Sequence, residues 1–233
     1  MQLDGRIAIV TGVSKGIGLE LAKLLLEKGM QVAGWSRTAP ELTHDNFFFT
    51  PVDMGVEEEV EKAYQATVAH FGADIDVLVN NAGYGAFNYL EQFDSAAWEK
   101  MFAVNVHGIY YVTKRVLPNM KQREYGHIVN LSSIAGKNGI PQGTAYCGTK
   151  HAVRGLSESL YREVKDHNIK VTCLFPGSVD THFFDEVKGT EANPTMLHAD
   201  DVAQLIVHQL EMPDNFNTSE VEIRPMRVKY KAP

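Results

Sequence analysis

The chain opens on Arg6-Ile7-Ala8-Ile9-Val10-Thr11-Gly12-Val13-Ser14-Lys15-Gly16-Ile17-Gly18, an apolar run that passes through a glycine-rich turn into the segment Leu19–Lys28. Four consecutive apolar residues, Ile7–Val10, before glycine punctuation read as a buried strand, and the segment after it carries a helical period. Each glycine has a distinct use at such a junction. Gly12 permits a tight turn, Gly16 lets the backbone approach a pyrophosphate, and Gly18 lets helix pack closely on strand. The first turn of the helix adds free N–H groups and the positive end of its dipole, so the junction is suited to a dinucleotide. The spacing G-x-x-x-G-x-G departs from the familiar G-x-G-x-x-G, and a purely structural strand-to-helix turn is the alternative. Gly12-Val13-Ser14-Lys15-Gly16 also matches the G-x-S-x-G elbow that presents a nucleophilic serine in hydrolases. That reading would make Ser14 the nucleophile, but the elbow normally follows several earlier strands and this turn follows the first.

Working outward, short apolar runs alternate with longer amphipathic segments. Arg6–Val10, Gln31–Trp35, Phe47–Val52, Val77–Asn80, His127–Leu131, Lys170–Phe175 and Val221–Arg224 read as strands. Gly16–Lys28, Val56–Phe71, Asp94–Lys121, Thr144–Asp166 and Ala199–Met212 read as helices, with a weaker turn at Phe183–Val187. Apolar strands alternating with amphipathic helices predict a Rossmann-like doubly wound α/β fold: a parallel sheet of about seven strands with helices on both faces. No linker, charge block or internal repeat divides the chain, so residues 1–233 are expected to form one domain.

Composition narrows the partners. The 233 residues carry 22 Lys and Arg against 29 Asp and Glu, a formal net charge of −7. No basic run accompanies that acidic balance, which argues against nucleic acid as a partner. The two cysteines, Cys147 and Cys173, lack a CxxC spacing and read as free apolar fillers in a reducing compartment. The nine histidines show no metal-ligand spacing, so no metal is expected. No apolar run approaches the ~18 residues of a membrane span, and no signal-peptide succession opens the chain. A cytoplasmic protein that binds neither membrane nor nucleic acid is the expectation.

The second strand addresses cofactor choice. An NAD site places a carboxylate about 20 residues past the glycines, against the ribose 2′-OH. Gly34-Trp35-Ser36-Arg37 ends instead in a cation that can pair with a 2′-phosphate, and Lys15 adds a second charge in the turn. Both favour NADP(H) over NAD(H), the alternative being that Arg37 is a solvated loop charge. Asp53, after the third strand, is placed to accept from an adenine amino group. Asn81-Ala82-Gly83 closes the fourth strand with small residues where a cofactor can lie.

Tyr146-Cys147-Gly148-Thr149-Lys150 puts a phenol and an ammonium on one helical face. A lysine about 4–5 Å from a phenol contributes roughly 3–4 kcal/mol at an effective dielectric of ~20, enough to draw it about two to three pKa units towards neutrality. Alone, this spacing occurs on many ordinary helices. Ser132-Ser133 follows the fifth strand at its carboxyl end, where open α/β sheets bind ligands. Asn105 and Gly108, weak helix formers inside Asp94–Lys121, imply some local reason for their presence.

Taken together, Thr11-Gly12-x-x-x-Gly16-x-Gly18, Asp53, Asn80-Asn81-Ala82-Gly83, Asn105, Ser133, Tyr146-x-x-x-Lys150 and Pro176-Gly177-x-Val179-x-Thr181 resemble the short-chain dehydrogenase/reductase family in order and spacing. The resemblance implies hydride transfer between nicotinamide C4 and a carbonyl or alcohol. It implies Tyr146 as general acid/base, Ser133 on the reacting oxygen, Lys150 on the nicotinamide ribose, and Asn105 holding a water in a proton relay. The cofactor contacts it implies are Gly12, Ser14, Lys15, Gly16, Ile17, Gly18, Arg37, Asp53, Met54, Asn81, Ala82, Gly83, Tyr146, Lys150, Pro176, Gly177, Val179 and Thr181, the last holding the carboxamide.

Residues expected to face the substrate are Tyr84, Phe87, Ile134, Ile140, Phe183, Phe184 and Met196, a largely apolar set that suits a small apolar carbonyl or alcohol. A 3-oxoacyl thioester reductase is the alternative within the family, and a non-catalytic dinucleotide-binding module the alternative outside it. The helices Asp94–Lys121 and Thr144–Asp166 resemble the family's dimer-forming bundle, which implies a homodimer or homotetramer.

Overall fold

An apolar strand with no polar face must be covered on both sides, and the computed structural model, which describes residues 1–180 and 195–226, shows how this is done. The strands are β1 (Ile7–Thr11), β2 (Gln31–Ser36), β3 (Phe47–Pro51), β4 (Ile75–Asn80), β5 (Gly126–Leu131), β6 (Ile169–Pro176), β7 (Val179–Asp180), β8 (Leu197–His198) and β9 (Glu220–Ile223). The α-helices are α1 (Gly16–Glu27), α2 (Glu57–Phe71), α3 (Ser95–Phe102), α4 (Gly108–Arg123), α5 (Thr144–Val164) and α6 (Ala199–Glu211). Seven strands form one parallel sheet in the order β3-β2-β1-β4-β5-β6-β9. This is the Rossmann-like α/β fold. Strand order reverses between β1 and β4, and the carboxyl ends of such neighbours open a crevice for a ligand.

Alternate side chains of each strand enter opposite cores. Val10, Val32 and Val79 pack with Leu21 and Leu25 of α1 and Ile206 and Leu210 of α6. Ile9, Trp35, Leu78 and Ile128 pack on the other face with Val112 and Val116 of α4 and Val60 and Ala63 of α2. Burial on both faces is why β1 and the middle of β2 and β4 show no alternation of polar and apolar residues. Trp35, fully buried, satisfies its indole N–H on Thr67 Oγ1 at 3.1 Å.

The expected helix Asp94–Lys121 is not continuous. It divides into α3, a wide π-helical turn at Ala103–His107, and α4, which continues through Pro118 to Arg123. Asp94 caps α3, its carboxylate accepting from the Ala96 and Ala97 amides. Two contacts account for the wide turn. Gly108 lies so close to the Met54 backbone that a Cβ there would stand 2.7 Å from the Met54 carbonyl oxygen. Asn105 is drawn inward and buried, with its carboxamide bonded outside its own helix. Insertions of this kind mark functional positions. β4 also starts two residues earlier than the expected Val77, at Ile75. The two-residue ladder β7–β8, Val179 against Leu197 and Asp180 against His198, is too short to carry a strand pattern. The turn expected at Phe183–Val187 lies outside the described residues.

Candidate active site

The glycine turn stands at the carboxyl end of β1. Gly12 and Gly16 have φ of 75° and 62°, left-handed values that glycine adopts without strain. A Cβ on Gly18 would lie 2.3 Å from the Gly12 carbonyl oxygen, so this contact between helix and turn admits no side chain. Lys15 enters α1 in an extended conformation with no side-chain cap, and no acidic residue occupies the first turn. The leading N–H groups of α1 are therefore free of a side-chain acceptor, as an anionic ligand requires. Ser14 and Ile17 are half-buried in the turn. Lys15 and Arg37 are exposed, and neither pairs with a carboxylate among the described residues.

The other wall of the crevice comes from β4. Asn81 Nδ2 donates to the Thr11 and Gly12 carbonyls at 2.8 and 3.2 Å, while the Thr11 hydroxyl oxygen accepts from the Asn81 and Ala82 amides, both at 3.0 Å. Thr11 and Asn81 thus tie the glycine turn to the end of β4. Asp53 uses one carboxylate oxygen on the Gly55 amide at 2.9 Å, forming a local turn, and Met54 beside it is buried. Gly177 donates to the Ile223 carbonyl at 2.8 Å, which sets Pro176, Gly177 and Val179 at the end of β6. Thr181, Phe183 and Phe184 lie outside the described residues.

The remaining candidates converge across this crevice. Tyr146 and Lys150, on α5, are both buried, and Lys150 Nζ stands 5.8 Å from the phenol ring centroid. Ser133, on the loop after β5, reaches the Pro176 carbonyl at 3.5 Å and hydrogen-bonds Tyr146. A Cβ on Gly83 would lie 3.7 Å from both Lys150 Nζ and Asn105 Oδ1, which places those two groups on either side of one backbone position.

Burial overturns the expected tuning of the phenol. Loss of hydration pushes the Tyr146 phenol up to about 12, and the bond from Ser133 only partly opposes it. The same desolvation brings the Lys150 ammonium down to about 8. Lys150 donates to the Leu131 carbonyl at 2.9 Å rather than pointing its charge at the phenol. Helical spacing brought the two side chains onto one face, but it could not specify where the ammonium points or how dry the site is.

Three supporting residues lie inside the quoted motifs but were given no role there. Thr11 joins the two walls, as above. Ser132 donates to the Lys150 carbonyl at 2.9 Å, holding α5 against the β5 loop. Thr149, fully buried, donates to the Tyr146 carbonyl at 2.8 Å and accepts from Asn105 Nδ2 at 3.1 Å. Their hydroxyls were the available signal, since buried hydroxyls require partners. Beyond the phenol, Phe87 stacks obliquely with centroids 5.3 Å apart, and Tyr84, Phe93 and Trp98 pack into the same cluster. Ile140 is exposed at the rim, and Ile134 and Met196 are half-buried.

A glycine turn at the switch point of a seven-stranded parallel sheet, facing a buried Ser–Tyr–Lys group, defines a dinucleotide-dependent oxidoreductase site. The family model for short chain dehydrogenase matches residues 6–192, and the chain belongs to that family. An uncharacterized oxidoreductase of Staphylococcus saprophyticus is 33% identical, the match covering 94% of this chain and 96% of the relative. An alcohol dehydrogenase from the archaeon Thermococcus sibiricus, complexed with 5-hydroxy-NADP, is similar with a TM-score of 0.87, 28% identity, and coverage of 98% and 100%. A 3-ketoacyl-(acyl-carrier-protein) reductase from Brucella melitensis, complexed with NADH, is similar with a TM-score of 0.84, 26% identity, and coverage of 95% and 98%. Solved structures similar to this chain thus hold either form of the cofactor.

Proposed function

We propose that the chain, acting as one domain, is an NADP(H)-dependent reductase of small apolar carbonyl compounds, with Tyr146 as the proton donor. The observation that carries this reading is the buried phenol: at about 12 it is protonated at neutral pH, hydrogen-bonded to Ser133 and faced by Phe87. An alkoxide is a stronger base than phenolate, so proton transfer from Tyr146 to a newly formed alkoxide runs downhill. Ser133 holds the reacting oxygen beside the phenol, an electrostatic and positional contribution. Lys150, at about 8, returns protons to the site near neutral pH. The glycine turn, Asn81, Ala82 and Gly83 line the dinucleotide path, and Thr181 is proposed to hold the carboxamide. When bound, the nicotinamide supplies the hydride.

Arg37 and Lys15 support NADP(H), because the end of β2 offers an exposed cation and no carboxylate for a ribose 2′-OH, and the glycine turn adds a second exposed cation. Tyr84, Phe87, Phe93 and Trp98 support an apolar or aromatic substrate. The fold likeness to a 3-ketoacyl-(acyl-carrier-protein) reductase keeps 3-oxoacyl thioesters as the second reading. Family membership leaves Ser14 to the turn rather than to a nucleophile elbow. Exposed Tyr110 on α4 and Leu156 on α5 support pairing of subunits through these helices.

The test is NADPH oxidation across aromatic aldehydes, diketones, 3-oxoacyl thioesters and sugars, with Tyr146→Phe alongside. Aromatic carbonyls are expected as substrates, and Tyr146→Phe is expected to lower kcat at least about 10³-fold while NADPH binding is retained. Turnover confined to sugars overturns the substrate class. Residual kcat within tenfold of wild type overturns the role of Tyr146.

A further inference from the structure

The Asn105 carboxamide is engaged on every side that can donate. Its Oδ1 accepts from the Tyr84 amide at 2.8 Å, and its Nδ2 donates to the Tyr84 carbonyl at 2.8 Å and to Thr149 Oγ1 at 3.1 Å. Asn105 and Thr149 are both buried, so water offers no substitute partner. The direction of the last bond follows from the hydroxyl's inventory. Thr149 commits its one proton to the Tyr146 carbonyl, three residues back on α5, at 2.8 Å, which leaves its lone pairs to accept from Asn105.

We propose that Thr149 is a positioning residue: its hydroxyl couples the Tyr146 turn of α5 through Asn105 to Tyr84, setting the loop after β4 against the catalytic phenol. Three elements meet in this strut. The π-helical turn supplies Asn105, α5 supplies Thr149 and Tyr146, and the loop supplies Tyr84, which leads into Phe87, 5.3 Å from the phenol ring. Asn105 Nδ2 has one proton on the Tyr84 carbonyl and the other on the Thr149 hydroxyl, so removing the hydroxyl strands one buried donor proton, and such a group costs its full desolvation. The loop backbone then loses the fixed carboxamide that both its Tyr84 amide and its Tyr84 carbonyl rely on. The consequence for turnover rests on the reading of Tyr146 as proton donor, but the consequence for the loop does not.

The experiment compares Thr149→Val, which keeps the volume and removes the hydroxyl, with Thr149→Ser, which keeps the hydroxyl and removes the methyl. Amide hydrogen exchange of the ligand-free protein is read at Tyr84, and kcat and KM are read with an aromatic aldehyde that the wild type reduces. Thr149→Val is expected to raise Tyr84 exchange about tenfold or more, with β4 and β5 core amides unchanged. It is expected to lower kcat about tenfold with KM within twofold, and Thr149→Ser is expected to restore both. Wild-type Tyr84 exchange in Thr149→Val overturns the proposal. So does the opposite order, with Ser more damaging than Val, because that order means that Thr149 only fills space. If Thr149→Val does not fold, Thr149→Ala supplies the variant without a hydroxyl. If Tyr146→Phe retains turnover, the proton-donor reading fails by itself, and Tyr84 exchange still decides the role of Thr149.

Discussion

The two ends of the sheet bury charge in opposite ways. At the amino ends, Asp76 is buried and accepts from the Ile7 amide at 3.0 Å, Arg123 at 2.9 Å and Arg6 at 3.3 Å, while Arg123 also donates to the Ile75 carbonyl. At the carboxyl ends, Lys150 is equally buried, but its ammonium donates to a backbone carbonyl, that of Leu131, and meets no carboxylate among the described residues. The amino-end charges also border a cleft of about 380 Å³, lined by Asp4, Arg6, Asp74, Asp76 and Arg123. A concavity alone does not identify a site. Where every buried charge has its counter-charge, the group is fixed in one protonation state and serves structure. Where a buried charge is left with a neutral partner, its protonation is adjustable, and chemistry becomes available.

Substitutions at each end can break this contrast. The largest effect is expected from Lys150→Met: kcat falls about 10³-fold, while the thermal midpoint stays within about 4 °C, a stability change of roughly 1 kcal/mol. The pH dependence of stability should change as well. Lys150 sits at about 8 in the folded chain against 10.5 for the free side chain, so between these values the unfolded state binds more protons and stability rises with pH. That rise, read as the difference between wild type and Lys150→Met by denaturation between pH 8 and 9, isolates Lys150, because Cys173 and Tyr146, raised by burial from 9.0 and 10.0, oppose it only as they titrate in the unfolded chain at higher pH. A variant that unfolds while its remaining folded fraction turns over normally would assign Lys150 to structure instead.

Asp76→Ala should show the reverse pattern. Leaving Arg123 and Arg6 without their buried carboxylate is expected to cost about 3 kcal/mol by chemical denaturation, with kcat within twofold of wild type. A kcat loss as large as that of Lys150→Met would dissolve the distinction between the ends. The smallest effect sharpens the carboxyl end alone. Arg37→Ala should raise the NADPH Kd about 10- to 30-fold, the loss of one charge-assisted contact of roughly 1.5–2 kcal/mol, and leave the NADH Kd within twofold. Equal losses measured by fluorescence titration would remove Arg37 from cofactor choice.

Much of this architecture was legible beforehand because strong local rules govern it. A parallel sheet covered on both faces is written largely in apolar residues, and β1 and the middle of β2 and β4 are written that way, while buried His127, Asn130, Lys170 and Thr172 interrupt β5 and β6. The glycine turn was legible for the same kind of reason, since Gly12 and Gly18 admit no side chain. The long helix was misread because the rule failed locally: Asn105 and Gly108 were visible as weak helix formers, but their partners, Tyr84, Thr149 and Met54, are distant in sequence. The β7–β8 ladder was missed because two residues carry no period. Thr11, Ser132 and Thr149, though inside the quoted motifs, received no role because a hydroxyl in sequence does not say whether it will be buried.

Spacing alone placed Tyr146 and Lys150 on one helical face, and the family resemblance named the residues at the carboxyl ends of β1, β4 and β5 as one candidate site. Residue identity also determined family membership, since those motifs recur in order along the chain. Protonation was decided only by the tertiary structure. The same phenol and ammonium that helical spacing alone would tune towards neutrality are taken out of water, and desolvation raises one and lowers the other. Burial is a property of everything packed around a residue, and no local stretch of sequence contains it.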